Sequence, residues 1–241
     1  MPEQSRFEFL ILGPGRGGTS LLAALLDYHP DLHVVFEHHV TSTLLAHDRF
    51  EAASERADAF LRACEEAASA AAKPVWANKI TTEQVARLEP SYGESFPRAT
   101  ESALDVFFNG VLANKKVIFI LRDGRTCVRS KMRRARHSVE EACARWLYAY
   151  DVWRFLNRRA QSLSIRFEDL VRAPEQTLTE VCAFLETRFD PVMLSGTTHK
   201  LLNPDYRNSR FMEHKATYDD TPVGIEERLR KELELSGYLV P

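Results

Sequence analysis

Four groups of residues in this chain have side chains and spacings suited to chemistry. The first is Gly13-Pro14-Gly15-Arg16-Gly17-Gly18, followed at once by Thr19 and Ser20. Glycines let a backbone come close to a ligand, and a helix opening directly after them presents N–H groups and a favourable dipole to an anion. Gly13 and Gly18 keep the G-x-x-x-x-G spacing of a nucleoside-triphosphate loop, but Thr19 stands where that loop needs lysine. The cation inside the turn is Arg16, which can fork onto a single phosphate. This favours a nucleotide with one terminal phosphate over ATP or GTP. The plainer reading is a turn that only joins strand to helix.

A second group is Arg122-Asp123-Gly124-Arg125, with Ser130 eight residues after Arg122. Two readings compete. Asp123, at the end of an apolar run, can supply a magnesium-binding carboxylate in a triphosphatase. Alternatively, Arg122 and Ser130 hold a second phosphate. The absent loop lysine weakens the first. The basic run Lys131, Arg133, Arg134, Arg136 reads as a solvated helix face. The third group, Glu37-His38-His39, offers a general base, a metal pair or surface polarity. Neighbouring histidines on a strand point to opposite faces, which argues against the metal pair. The fourth, Asn78-Lys79, closes a short apolar run and offers a catalytic cation, or only a solvated lysine.

The elements that must position these groups alternate between strand and helix. Apolar runs at 9–12, 32–36, 75–77, 117–121 and 163–165 read as strands, and 117–121 (VIFIL) reads as a central parallel one. Helices are expected over 21–28, 50–72, 100–114, 138–159, 175–185 and 225–235, with another following Arg125 through Met132. Thr100 is expected to cap its helix and Pro174 to start its own. Trp146, Tyr150 and Trp153 at helical spacing mark core. Phe167-Glu168-Asp169-Leu170 reads as a turn after a strand, and 88–99 as a loop. Residues 197–221 are polar and irregular, a candidate lid. The pattern predicts an α/β fold with a parallel sheet of about five strands in one domain spanning 1–241, and ligand at the carboxyl ends of the strands.

Lys+Arg of 32 against Asp+Glu of 34 gives a net charge of −2, so no global field recruits nucleic acid or anionic lipid, and an anion site must be local. No run is long enough to span a bilayer, and the first residues lack an apolar signal region. Cys64, Cys127, Cys143 and Cys182 lie far apart, three of them in expected helices, and fit reduced thiols in a cytoplasmic protein.

Three separated blocks, covering most of residues 7–190, resemble the sulfotransferases that use 3′-phosphoadenosine 5′-phosphosulfate (PAPS). GPGRGGTSLLAALLDYHPDLHVVFE is similar to the family's 5′-phosphosulfate loop and following helix, VIFILRDGRTCVRS to its 3′-phosphate motif, and SIRFEDLVRAPEQTLTEVCAFLE to the block preceding a proline-started helix. The resemblance implies a P-loop-like three-layer sandwich that moves a sulfuryl group from PAPS to a hydroxyl or amine acceptor, without metal, leaving 3′,5′-adenosine diphosphate. It further implies that Arg16, Gly17, Gly18, Thr19 and Ser20 hold the 5′-phosphate, and Arg122 and Ser130 the 3′-phosphate. Glu37 matches the general base, with His38 the fallback, and Lys79 the lysine assisting the leaving phosphate. Phe167 stands where the family usually has tyrosine and keeps a stacking ring in the nucleotide site. Gly17 replaces a commoner serine, and Ile-Thr rather than Thr-Pro follows Lys79. A P-loop nucleotide kinase or phosphatase and an inactive nucleotide-binding module are the alternatives. The acceptor (carbohydrate, lipid, peptide or small metabolite) and the oligomeric state are not legible.

Overall fold

The computed structural model describes residues 6–93, 95–208, 210–212 and 224–239. Its five strands, β1 Arg6–Leu12, β2 Leu32–Phe36, β3 Val75–Lys79, β4 Lys116–Leu121 and β5 Ser162–Arg166, form one sheet in the order β2-β3-β1-β4-β5. Every neighbouring pair is parallel. All carboxyl ends therefore lie on one edge, where the order reverses around β1.

Strand alternation sorts side chains into two cores. Leu10, Leu12, Val117, Phe119 and Leu121 face one side, and Phe9, Ile11, Ile118 and Ile120 the other. The second side is covered by α1 (Thr19–Asp27), α7 (Phe167–Arg172) and α8 (Pro174–Phe184). The first is covered by α2 (Ala53–Ser69), α5 (Gly124–Ala135), α6 (Val139–Leu156) and α9 (Ile225–Leu235). Short α3 (Thr82–Val85) follows β3 directly. The result is the expected three-layer α/β sandwich. The α2 helix shows how the sequence chooses its face: Ala57, Phe60, Cys64 and Ala68 recur at helical spacing and are all buried.

Several local expectations are corrected. The helix expected over 100–114 is a four-residue α4 (Glu101–Leu104), capped by the Thr100 hydroxyl, that widens into a π-helix over Asp105–Val111. The wider winding turns the adjacent Phe107 and Phe108 both inward, where each is fully buried. Phe167-Glu168-Asp169-Leu170 opens helix α7 instead of a turn. All four cysteines, not three, lie in helices; all are buried, and burial pushes the Cys64 and Cys127 thiols up to about 12. The irregular stretch begins at the end of a 3-10 helix over Pro191–Thr198 and contains a second over Pro204–Tyr206, while 209 and 213–221 lie outside the described residues. No described helix is long and apolar enough to cross a membrane.

Candidate functional site

The opening turn is shaped by its neighbours. Gly17 N–H donates to the Pro14 carbonyl at 2.7 Å, and both Arg16 (φ 73°) and Gly18 (φ 100°) are left-handed. Gly18 is the N-cap of α1 and contributes no side-chain cap, so the first N–H groups of that helix are left for a ligand. The space beside Gly18 is taken by a ring. A Cβ there would lie 2.3 Å from Phe167 Cδ2, so only glycine lets α7 approach this closely.

On the far side, Arg122 follows β4. Its Nη1 donates to the Arg16 carbonyl at 3.1 Å, and its guanidinium carbon lies 4.1 Å from the Phe167 ring centroid. Trp146 of α6 donates its Nε1 hydrogen to the Arg122 carbonyl at 3.0 Å and so fixes that backbone. Arg16 Nε donates to Ser130 Oγ at 3.1 Å. Arg16, Gly18, Thr19, Ser20, Arg122 and Phe167 line one cleft of about 310 Å3. Its remaining wall is largely apolar and comes from Val171 and the segment after α8, including Leu201, Leu202 and Phe211. Gly17 is buried in the turn, and Ser130 joins the group through Arg16.

Glu37, His38 and Lys79 gather at the ends of β2 and β3, outside the lining of that cleft. Lys79 Nζ lies 2.6 Å from Glu37 Oε1, and Gln84 Nε2 donates to Glu37 Oε2 at 2.8 Å. Lys79 is 3% exposed, whereas the Glu37 side chain is 42% exposed. The buried amine thus steers an accessible carboxylate. Glu37 itself has φ 57°, a left-handed backbone that turns its side chain out of the strand's alternation. Asn78 clasps the His38 main chain, accepting from its N–H at 3.2 Å and donating to its carbonyl at 2.8 Å. The His38 ring packs against His39, 4.0 Å between centroids.

The turn and this pair are joined by α3. Thr82 N–H donates to the Gly13 carbonyl at 3.0 Å, and Gly15 N–H donates to Glu83 Oε2 at 2.9 Å. Glu83 also pairs with Lys131 of α5. Burial raises the Glu83 carboxyl, but the Lys131 charge and the Gly15 hydrogen bond outweigh it and hold the group below the usual carboxylate range. Lys131 is accordingly buried, which corrects the solvated-face reading at that position; Arg133, Arg134 and Arg136 are exposed.

Asp123 is committed elsewhere. It caps α5 and pairs with Arg125 at 2.7 Å, and Arg125 in turn meets Glu226 at 2.9 Å. A carboxylate so neutralised is a poor magnesium ligand. Among the described residues, no group of three or more histidines, cysteines and acids is arranged to hold a metal.

Sequence reasoning missed Gln84 and Glu83, read Lys131 as a solvated cation, and placed Trp146 in the core without its bond to Arg122. Only Gln84 left a sequence signal: Thr81-x-x-Gln84 is a capping box, in which Gln84 Oε1 takes the Thr81 N–H at 2.8 Å. Arg210 and Phe211, in the stretch read as a lid, also line the cleft.

Comparison with known proteins gives one family model, described as the sulfotransferase family, that matches residues 8–191. No curated protein matches the sequence. Among solved structures, the fold is similar to a sulfotransferase domain from the curacin biosynthetic pathway, with TM-score 0.69 and 18% identity over 99% of this chain and 100% of that one. It is also similar to a sulfotransferase domain from the Synechococcus PCC 7002 olefin synthase, with TM-score 0.67 and 20% identity over 99% of this chain and 97% of that one. A mouse sulfotransferase complexed with PAP aligns with TM-score 0.53 and 13% identity, over 96% of this chain and 86% of that one.

Proposed function

The chain belongs to the sulfotransferase family, and from that premise we propose that it moves a sulfuryl group from PAPS to a hydroxyl or amine acceptor. The observation that carries the proposal is the cleft. Arg16 and Arg122 line it together at the uncapped N-terminus of α1, Arg122 over the Phe167 ring and bonded to the Arg16 carbonyl, beside a largely apolar wall. That donor set suits a purine nucleoside with a phosphate at each end: cations and N–H groups for the phosphates, rings and aliphatic side chains for the rest. The 5′-phosphate is assigned to Arg16, Gly17, Gly18, Thr19 and Ser20, and the 3′-phosphate to Arg122 and Ser130, with Phe167 the stacking ring. The crystallised mouse relative carries PAP, which supports the same nucleotide here.

Bound in the cleft, the donor supplies the activated sulfuryl group. Glu37 holds the acceptor and takes its proton; Gln84 and Lys79 fix the direction from which it does so. Lys79 and Arg16 supply positive charge where the leaving phosphate gains negative charge. His38, exposed beside Glu37, is the fallback base.

Calorimetry with 3′,5′-adenosine diphosphate and with ATP, both without metal, tests this directly. Binding of the bisphosphate and not of ATP is expected. ATP binding that appears when magnesium is added in a further titration would instead favour the nucleotide kinase. Transfer of labelled sulfate from PAPS to a panel of hydroxyl and amine acceptors, read by mass spectrometry, then separates an enzyme from an inert binder.

A further inference from the structure

The cleft's apolar wall has its own anchor. The 3-10 helix Pro191–Thr198 packs onto α1 so closely that a Cβ on Gly196 would lie 2.5 Å from the Ala24 carbonyl oxygen. The chain then leaves α1 and forms the wall through Leu201, Leu202 and Asn203. His199 stands at the point of departure and is buried. Its Nε2 lies 3.0 Å from Asp27 Oδ2 at the end of α1, and its Nδ1 accepts the Leu201 N–H at 3.1 Å. With Nδ1 accepting a backbone N–H, Nε2 is the nitrogen that donates to Asp27.

The surroundings fix the position of the ring. Asp27 Oδ1 is already occupied by the Val34 N–H at 2.8 Å and faces His33 Nδ1 at 3.2 Å, leaving Oδ2 for His199. Lys73 Nζ donates to the carbonyls of Asp27, His29 and Leu32, each within 2.8 Å, and braces the same corner. The ring faces of His199 meet Phe36, stacked at 5.8 Å and 8°, and the edge of Tyr28 at 5.7 Å. Phe36 precedes Glu37 and has Lys79 Nζ 5.3 Å from its centroid. One side chain therefore touches the helix behind the anion turn, the strand that carries Glu37, and the wall of the cleft.

We infer that His199 is a positioning residue for the donor cleft, holding the Leu201–Asn203 wall against α1 by accepting the Leu201 N–H while donating to Asp27. The inference rests on the reading of the cleft as the nucleotide site. Its geometry is that of a side chain closing a turn onto the N–H two residues later, which an asparagine carbonyl also does. His199→Asn therefore keeps the turn and loses the ring, whereas His199→Ala loses both.

The test measures hydrogen exchange at the Leu201 and Leu202 amides of the ligand-free protein, together with the Kd for 3′,5′-adenosine diphosphate and the thermal midpoint. For His199→Ala, Leu201 exchange rises about tenfold or more and Kd weakens by about tenfold; for His199→Asn, which keeps the turn but loses the bond to Asp27, Leu201 exchange stays within about threefold of the parent while Kd weakens as in the alanine variant. A histidine that served only stability would lower the midpoint of both variants and leave Kd unchanged. Equal Leu201 exchange in the asparagine and alanine variants, or no change with alanine, overturns the inference. If the parent protein fails to bind the bisphosphate, the nucleotide reading falls, but the exchange measurement still decides whether His199 holds the wall. If the alanine variant does not fold, Asp27→Asn, which weakens the hold at Nε2, must itself weaken Kd; an unchanged Kd there also overturns the inference.

Discussion

Arg16 of the opening turn reaches across to the second phosphate motif, its Nε donating to Ser130 Oγ at 3.1 Å. The residues proposed to hold the two phosphates therefore form one connected cluster, because Arg122 also grips the Arg16 carbonyl. A guanidinium already aimed by a hydroxyl loses less freedom when a phosphate arrives.

Arg16→Ala should weaken 3′,5′-adenosine diphosphate binding by roughly ten- to a hundredfold, the equivalent of about 1.5–3 kcal/mol for a charge-assisted hydrogen bond. Ser130→Ala should cost less, about 1 kcal/mol, as a neutral partner does. Because the two touch, the double variant should lose less than the sum of the singles. Calorimetric Kd values for the four proteins decide it; strict additivity would mean the contact does no work in binding.

Glu37→Gln preserves the shape of the side chain and removes its basicity. Turnover should drop by roughly 10²-fold or more while nucleotide Kd stays near the parent value, since Glu37 lies outside the cleft lining. Steady-state kcat beside calorimetric Kd is the measurement, and near-parent turnover would take the base role away from Glu37.

The Glu83–Lys131 pair beneath the turn makes a prediction about acid stability. Glu83 sits below the usual carboxylate range, so its contribution is complete above about pH 4.3 and is lost as pH falls through its lower folded value. Lys131→Met alone leaves a buried carboxylate unpaired and should cost about 3–5 kcal/mol. Combining it with Glu83→Gln should recover much of that loss and flatten the acid limb of a urea-melt series below about pH 4. Glu168 has the opposite sign. Burial pushes its carboxyl up despite hydrogen bonds from Asp123 N–H at 3.1 Å and Tyr238 Oη at 2.8 Å. Its contribution is present at low pH and fades as pH rises through the raised value, so Glu168→Gln should help most at neutral pH.

Gly18→Ala should abolish nucleotide binding. The left-handed backbone costs about 1–2 kcal/mol for any L side chain, and the added methyl would meet Phe167 at 2.3 Å. Displacing that ring also removes the face under Arg122. Phe167→Tyr, by contrast, should bind within a few-fold of the parent. Bisphosphate titrations of both variants provide the check, and an alanine variant that still binds would mean the ring is not part of the site.

How much of this was legible follows from what local sequence can encode. Strand type, the glycine turn and the carboxyl-end placement of Arg122 and Lys79 come from hydrophobic periodicity and chain order, and the structure agrees. The Lys79–Glu37 contact spans 42 residues, and the Glu83–Lys131 pair depends on packing of α3 against α5. No periodicity carries such pairings, so Lys131 read as one more solvated cation of its helix. The π-helix was hidden for a related reason, because burying Phe107 beside Phe108 is a demand of the core and not of helix propensity.

Glu37 sits in a conformation that most side chains avoid, with φ at 57°. Glycine at that position would relax the backbone, but it would also delete the proposed base and take its carboxylate from the buried Lys79 amine. The strained turn and the buried amine therefore pull selection at position 37 in opposite directions, and the carboxylate that satisfies the amine is the same one proposed to take the proton.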